Sequence, residues 1–102
     1  IVDDCCEHSK KIGAINCVSV KPNGFLYGSN YDWLGFVNGI KYVFPDFELK
    51  NKLVTVLGAG GSSRAVCYGL LSEGVSEILL VNRTTSKAES LKLDLGKAVK
   101  VV

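Results

Sequence analysis

Residues 52–63 read "KLVTVLGAGGSS": a short, unbroken apolar run that ends on clustered glycines. A run of this length with polar and turn residues at its ends is the pattern of a strand buried on both faces of a parallel sheet. The segment that follows, "GGSSRAVCYGLLSEG" at Gly60–Gly74, has the length and spacing of a helix stopped by Gly74. A second apolar strand follows in "SEILLVN" (76–82), and a second helix in "TTSKAESLKLDLG" (84–96). In that helix Ser86 and Glu89 are spaced as a capping box, and Ala88, Leu91 and Leu95 form the apolar face. "KAVKVV" (97–102) begins a third strand. Strand, helix, strand, helix, strand at this spacing predicts one βαβαβ half of a Rossmann-type, doubly wound parallel α/β sheet.

Upstream the pattern is different. Residues up to Gly13 read as the end of a helix. "AINCVSV" alternates and is rich in β-branched residues, and "NGFLYG" follows a turn at Pro22-Asn23-Gly24, so residues 14–29 read as a two-stranded antiparallel ribbon. From Asp32 onward Leu34, Val37, Ile40 and Phe44 recur at helical spacing until Pro45 ends the run. The chain thus divides into residues 1–44 and residues 45–102, with the helix from Asp32 as the link.

Bulk properties narrow the function classes. The 102 residues are 47% hydrophobic and 22% charged, with a net charge of +2. The basic residues are scattered, which argues against a nucleic-acid surface. No apolar run approaches the roughly 18 residues that cross a bilayer, and the first residues lack a signal peptide's order of charge and apolar core, so a cytoplasmic location is expected. Cys5, Cys6, Cys17 and Cys67 form no disulfide framework and read as small buried hydrophobes of a reducing compartment. With no C-x-x-C pair and His8 the only histidine, no metal site is expected.

The glycine segment carries chemistry. In "GAGGSSR", Gly58 allows the tight turn after the strand and Gly60 lets the backbone approach a pyrophosphate held by the N-terminal N–H groups of the next helix. Ser63 stands where a third glycine is usual and is still small. At the end of the second strand an NAD-binding chain would place Asp or Glu against the ribose; this one has Asn82, Arg83, Thr84 and Lys87. A guanidinium can hold a 2′-phosphate bidentately, so the expected cofactor is NADP. Asp32 is a lone carboxylate among aromatic and small residues, either a helix cap or a catalytic group.

Four stretches read together, "IGAINC" (12–17), "GSNYDWLGF" (28–36), "GAGGSSRA" (58–65) and "NRTTSKAESL" (82–91), resemble the shikimate dehydrogenase family. Its corresponding motifs run IGA(V/I)NT, G-x-NTD-x-x-G, GAGG-x-x-(R/K) and NRT-x-x-(K/R). The resemblance implies reversible, NADP-dependent reduction of 3-dehydroshikimate to shikimate in aromatic amino-acid biosynthesis. Quinate or aminoshikimate dehydrogenation, or a noncatalytic NADP-binding relative, are the alternatives. By position Asn16 would bind substrate hydroxyls and Asp32 would be the catalytic and substrate-binding aspartate, with Asn30 beside it. Gly58, Ala59, Gly60, Gly61, Ser62 and Ser63 would form the pyrophosphate loop, and Asn82, Arg83, Thr84 and Lys87 the 2′-phosphate clamp. Residues 1–44 would then be the C-terminal part of a substrate-binding domain and 45–102 the first half of the NADP-binding domain.

In the family the aspartate works with a lysine in an upstream NVT-x-P-x-K segment, which Lys10 and Lys11 lie too close to "IGAIN" to match. The chain is therefore expected to be a central piece of a longer enzyme, inactive alone, acting on a small molecule as a monomer or homodimer. Two departures from the motifs, Cys17 and Tyr31 in place of threonines, bear on substrate choice.

Overall fold

The computed structural model describes residues 2–102. Its elements run β1 (Asp4–Cys5), α1 (Glu7–Ile12), β2 (Cys17–Val20), β3 (Leu26–Ser29), α2 (Asp32–Val43), β4 (Leu53–Leu57), α3 (Gly61–Ser72), β5 (Glu77–Val81), α4 (Thr85–Leu95) and β6 (Val99–Val101). The strands form two three-stranded sheets, β1-β3-β2 and β4-β5-β6.

The second sheet is parallel throughout, with Val56 opposite Leu80 and Ile78 opposite Val99. It is the predicted βαβαβ unit, and it holds the core: Ile78, Leu80, Leu91, Val99 and Cys67 are fully buried. Alternating burial along β5 and the triad Ala88, Leu91 and Leu95 on α4 show why these segments adopt these elements: each turns its apolar side onto the same interior. Burial pushes the Cys67 thiol up to about 11. Cys5, Cys6 and Cys17 are only half-buried, so the expectation of four buried cysteines holds for Cys67 alone. β4 lies at the sheet's edge, and its Leu53 and Leu57 are 61% and 78% exposed.

The first sheet contains the predicted ribbon, with Cys17 opposite Ser29 and Val20 opposite Leu26 around a turn at Gly24. The segment before Gly13 differs from expectation. Instead of a continuous helix, β1 pairs in parallel with β3, and Asp3 accepts a 2.6 Å bond from the Leu26 amide. A two-residue strand is too short to show a period in sequence. Only six residues, Glu7–Ile12, are helical before Gly13 closes the turn in the left-handed conformation.

α2 spans the predicted residues and joins the two sheets by packing on α3. The buried face is shifted from the expected stripe. Val37 is buried and Phe36 packs on the core, while Leu34 and Phe44 are 41% and 61% exposed. At Gly69 on α3 the two helices come so close that a Cβ would lie 2.9 Å from Val37 Cγ2 and 3.0 Å from the Trp33 carbonyl oxygen. Next to this contact Trp33 and Tyr68 meet edge to face at 5.2 Å, and His8 of α1 is hydrogen-bonded to the Tyr68 hydroxyl at 2.5 Å. Three helices are thereby joined through one aromatic cluster.

The capping box expected at α4 does not form. The helix starts at Thr85, so Ser86 already lies inside it, and the cap position is Thr84, without a side-chain cap bond. Asn82 supplies the local order by donating from Nδ2 to the Thr84 carbonyl at 2.8 Å.

Candidate functional site

The phosphate loop is built by the β4–α3 turn. Gly58 has φ +105°, a conformation costly for any side chain, and its N–H donates to the Val81 carbonyl at 2.7 Å. That bond ties the glycine loop to the end of β5, so Gly58 and Asn82 sit side by side at the carboxyl ends of the strands. Open α/β sheets bind ligands at this edge. Gly60 is the cap residue of α3 and provides no side-chain acceptor, and no acidic residue lies in the helix's first turn. The N–H groups that open a helix have no intrahelical partner. A Cβ on Gly60 would meet nothing within 4 Å, so the space above the loop is open for an incoming group.

A cleft of about 290 Å³ lies against this loop, lined by Gly13, Ala14, Ala59, Gly60, Gly61, Arg64, Lys87 and Ser90. Lys87 of the predicted clamp therefore shares a cavity with the loop. Arg83 and Thr84 are exposed at the start of α4, and among the described residues neither Arg83 nor Lys87 forms an ion pair. Cations at a helix N-terminus are disfavoured by its dipole, and an anion bound nearby offsets that cost. The residues fit a dinucleotide with a phosphorylated ribose: open glycines and free N–H groups for the pyrophosphate, and two unopposed cations for the additional phosphate. A larger apolar groove of about 590 Å³ runs along β4 and ends at Ser62 and Ser63.

Arg64, the last residue of the glycine motif, has another part. Its Nη1 donates to the Ile12 carbonyl at 3.0 Å and to Asp94 at 2.6 Å, and its Nη2 to Ser90 at 3.0 Å. It closes the C-terminal end of α1 and holds that end to α4. This long-range role, 52 residues from Ile12 and 30 from Asp94, has no local signal in the sequence.

Asp32 is the first helical residue of α2. The cap position is Tyr31, and Asp32 makes no cap bond, so the capping alternative is excluded. The Asp32 amide donates to Asn30 Oδ1 at 3.0 Å, which makes Asn30 the residue that orders the helix start. The Asp32 carboxylate instead faces Asn16: Asn16 Nδ2 donates to Asp32 Oδ1 at 2.6 Å, while Asn16 Oδ1 accepts from the Tyr31 amide at 3.1 Å. Two residues sixteen apart are locked together, with Asp32 exposed and its second carboxylate oxygen outside this bond. Lys10 is engaged elsewhere, with Asp4 at 3.5 Å and Glu7 at 3.4 Å, and the Glu7 bond followed by the Asp4 charge raises its pKa.

No helix among the described residues is long and apolar enough to cross a membrane. Among them no group of three or more His, Cys, Asp or Glu side chains is placed to hold a metal ion.

A parallel sheet with a glycine loop at its carboxyl edge and an attached second sheet define a Rossmann-type α/β protein. The family profile for shikimate / quinate 5-dehydrogenase matches residues 41–102. The chain belongs to the shikimate/quinate 5-dehydrogenase family. It is 36% identical over its full 102 residues to the NADP(+) shikimate dehydrogenase of Dinoroseobacter shibae, 37% of whose length it covers. Its fold matches shikimate dehydrogenase from Aquifex aeolicus with a TM-score of 0.85 and 44% identity, over 99% of this chain and 36% of that one. It also matches quinate dehydrogenase from Corynebacterium glutamicum in complex with NAD, with a TM-score of 0.86 and 31% identity, over 99% of this chain and 37% of that one. The chain thus spans little more than a third of the length of each of these three relatives.

Proposed function

We propose that the protein containing this chain is an NADP-dependent shikimate dehydrogenase, which interconverts 3-dehydroshikimate and shikimate. Residues 1–44 contribute to its substrate-binding domain and 45–102 to its NADP-binding domain. The observation that carries this reading is the 2.6 Å bond between Asn16 and Asp32, which fixes a carboxylate with one oxygen left for a substrate hydroxyl. When bound, NADP supplies the hydride chemistry of the reaction. Gly58, Ala59, Gly60, Gly61, Ser62 and Ser63 hold its pyrophosphate, and Asn82, Arg83, Thr84 and Lys87 hold its 2′-phosphate. Asp32, working with the upstream lysine that the family resemblance implies, moves the proton of the reacting hydroxyl, and Asn16 keeps its carboxylate oriented.

Kinship with an NAD-bound quinate dehydrogenase supports a second reading, quinate oxidation. Arg83 in place of an acidic residue after β5 favours NADP over NAD.

The test is shikimate-dependent reduction of NADP by the full-length protein, run beside NAD and beside quinate. Rapid NADP reduction with shikimate, falling to a slow residual rate in Asp32→Asn, is the expected result. Tight NADPH binding without turnover would leave a noncatalytic relative, and preference for quinate would move the assignment within the family.

A further inference from the structure

We infer that Asn30 is a positioning residue for this site, setting the geometry of Asp32 without touching substrate. The inference rests on the catalytic reading of Asp32. Asn30 is 3% exposed, buried while its neighbours Tyr31 and Asp32 are exposed. Both ends of its amide are used. Oδ1 accepts from the Asp32 N–H at 3.0 Å, and Nδ2 donates to the Ala14 carbonyl at 3.1 Å.

These bonds span the two segments that carry the site. One segment, Ala14–Asn16, presents the Asn16 amide; the other, Asn30–Asp32, presents the carboxylate. The Asn16 N–H also donates to the Ser29 carbonyl at 3.0 Å, so the segments run together from Ser29 onward. Of the side chains of Ala14–Asn16 and Asn30–Asp32 only that of Asn30 is buried, and it fixes the backbone on both sides of the Asn16–Asp32 bond. A buried amide held at both ends has one orientation, whereas Asn16 and Asp32 are exposed and rely on their backbones being fixed. An apolar replacement would leave the Ala14 carbonyl and the Asp32 N–H without these partners, and the two segments could shift apart.

The prediction is a fall in kcat on truncation of Asn30 that vanishes when Asp32 is already disabled. In the full-length protein, Asn30→Ala should lower kcat for shikimate oxidation by about 10- to 100-fold, the range expected when a reacting group is displaced by about an ångström. The KM for NADP should stay within about twofold, because the phosphate loop lies on the other sheet. In an Asp32→Asn background the same substitution should cost less than about twofold, since the residue it positions is gone. A spectroscopic signature should accompany the loss: the Asn16 side-chain NH₂ resonances move toward those of a free amide.

Additive losses in the two backgrounds with unchanged Asn16 resonances would overturn the inference and make Asn30 a structural residue only. If Asn30→Ala does not fold, Asn30→Asp keeps the acceptor toward Asp32 and loses the donor toward Ala14, and the same cycle applies. Wild-type protein without turnover, or turnover unaffected by Asp32→Asn, would instead sink the catalytic reading of Asp32, a failure distinguishable from that of Asn30.

Discussion

At the scale of single residues, the proposed reading makes the charges after β5 the determinant of cofactor choice. Arg83 and Lys87 have no ion-pair partner among the described residues, so no carboxylate paired with either competes for an incoming phosphate. Arg83→Ala in the full-length protein should weaken NADP binding by about 10- to 100-fold, the range of one charge-assisted bond of about 1.5–3 kcal/mol, and leave NAD binding nearly unchanged. Isothermal titration with both dinucleotides reads this directly. Cys67 gives a prediction in pH. Its folded pKa of about 11 lies above the ordinary 9.0, so the fold retains a proton that the unfolded chain releases. The stability this represents is fully present below pH 9 and is lost as pH rises from 9 toward 11. Burial also raises the Tyr68 hydroxyl, which acts in the same direction. Melting of Cys67→Ala against pH should show a lower start and a flatter alkaline decline than wild type. The motif residues were legible one by one because glycine, asparagine and arginine announce backbone and phosphate chemistry locally. The bonding of Asn16 to Asp32 was not, since it depends on how two distant turns meet.

Elements were legible where they bury a regular face. β4, α3, β5 and α4 each show a period because one interior selects their apolar residues. The two-residue β1, the true start of α4 and the shifted face of α2 were hidden, because bonds from Asp3, Asn82 and the α3 contact decide them. That contact yields a test. Gly69→Ala gains helix propensity, worth at most about 1 kcal/mol. It also sets a methyl group 3.0 Å from the Trp33 carbonyl and 2.9 Å from Val37, where a backbone atom cannot swing aside. Overpacking of this kind costs about 1–3 kcal/mol, so a net loss is expected in the denaturation midpoint. Arg64→Lys should also destabilise, by about 1–2 kcal/mol, because an ammonium cannot reach Ile12, Asp94 and Ser90 together. Part of that loss is screened, Asp94 being 44% exposed.

At the scale of the whole molecule, the two sheets are unequal. The buried apolar cluster belongs to β4, α3, β5, α4 and β6. In the first sheet Val18 and Val20 are 52% and 72% exposed, and the pairing between β2 and β3 closes over little interior. Native-state hydrogen exchange should therefore rank the amides of β5, paired on both sides, as the slowest, and those of β2 among the fastest. The Asn16–Asp32 bond lies beside the softer sheet, whereas the phosphate loop lies on the harder one. A small ligand gripped by Asp32 would thus bind where opening is cheapest, and part of its affinity would be spent in suppressing that opening. Measured by hydrogen exchange, such a ligand would act as an interior the hairpin otherwise lacks, slowing exchange in β2 and β3 while leaving β5 almost as it was.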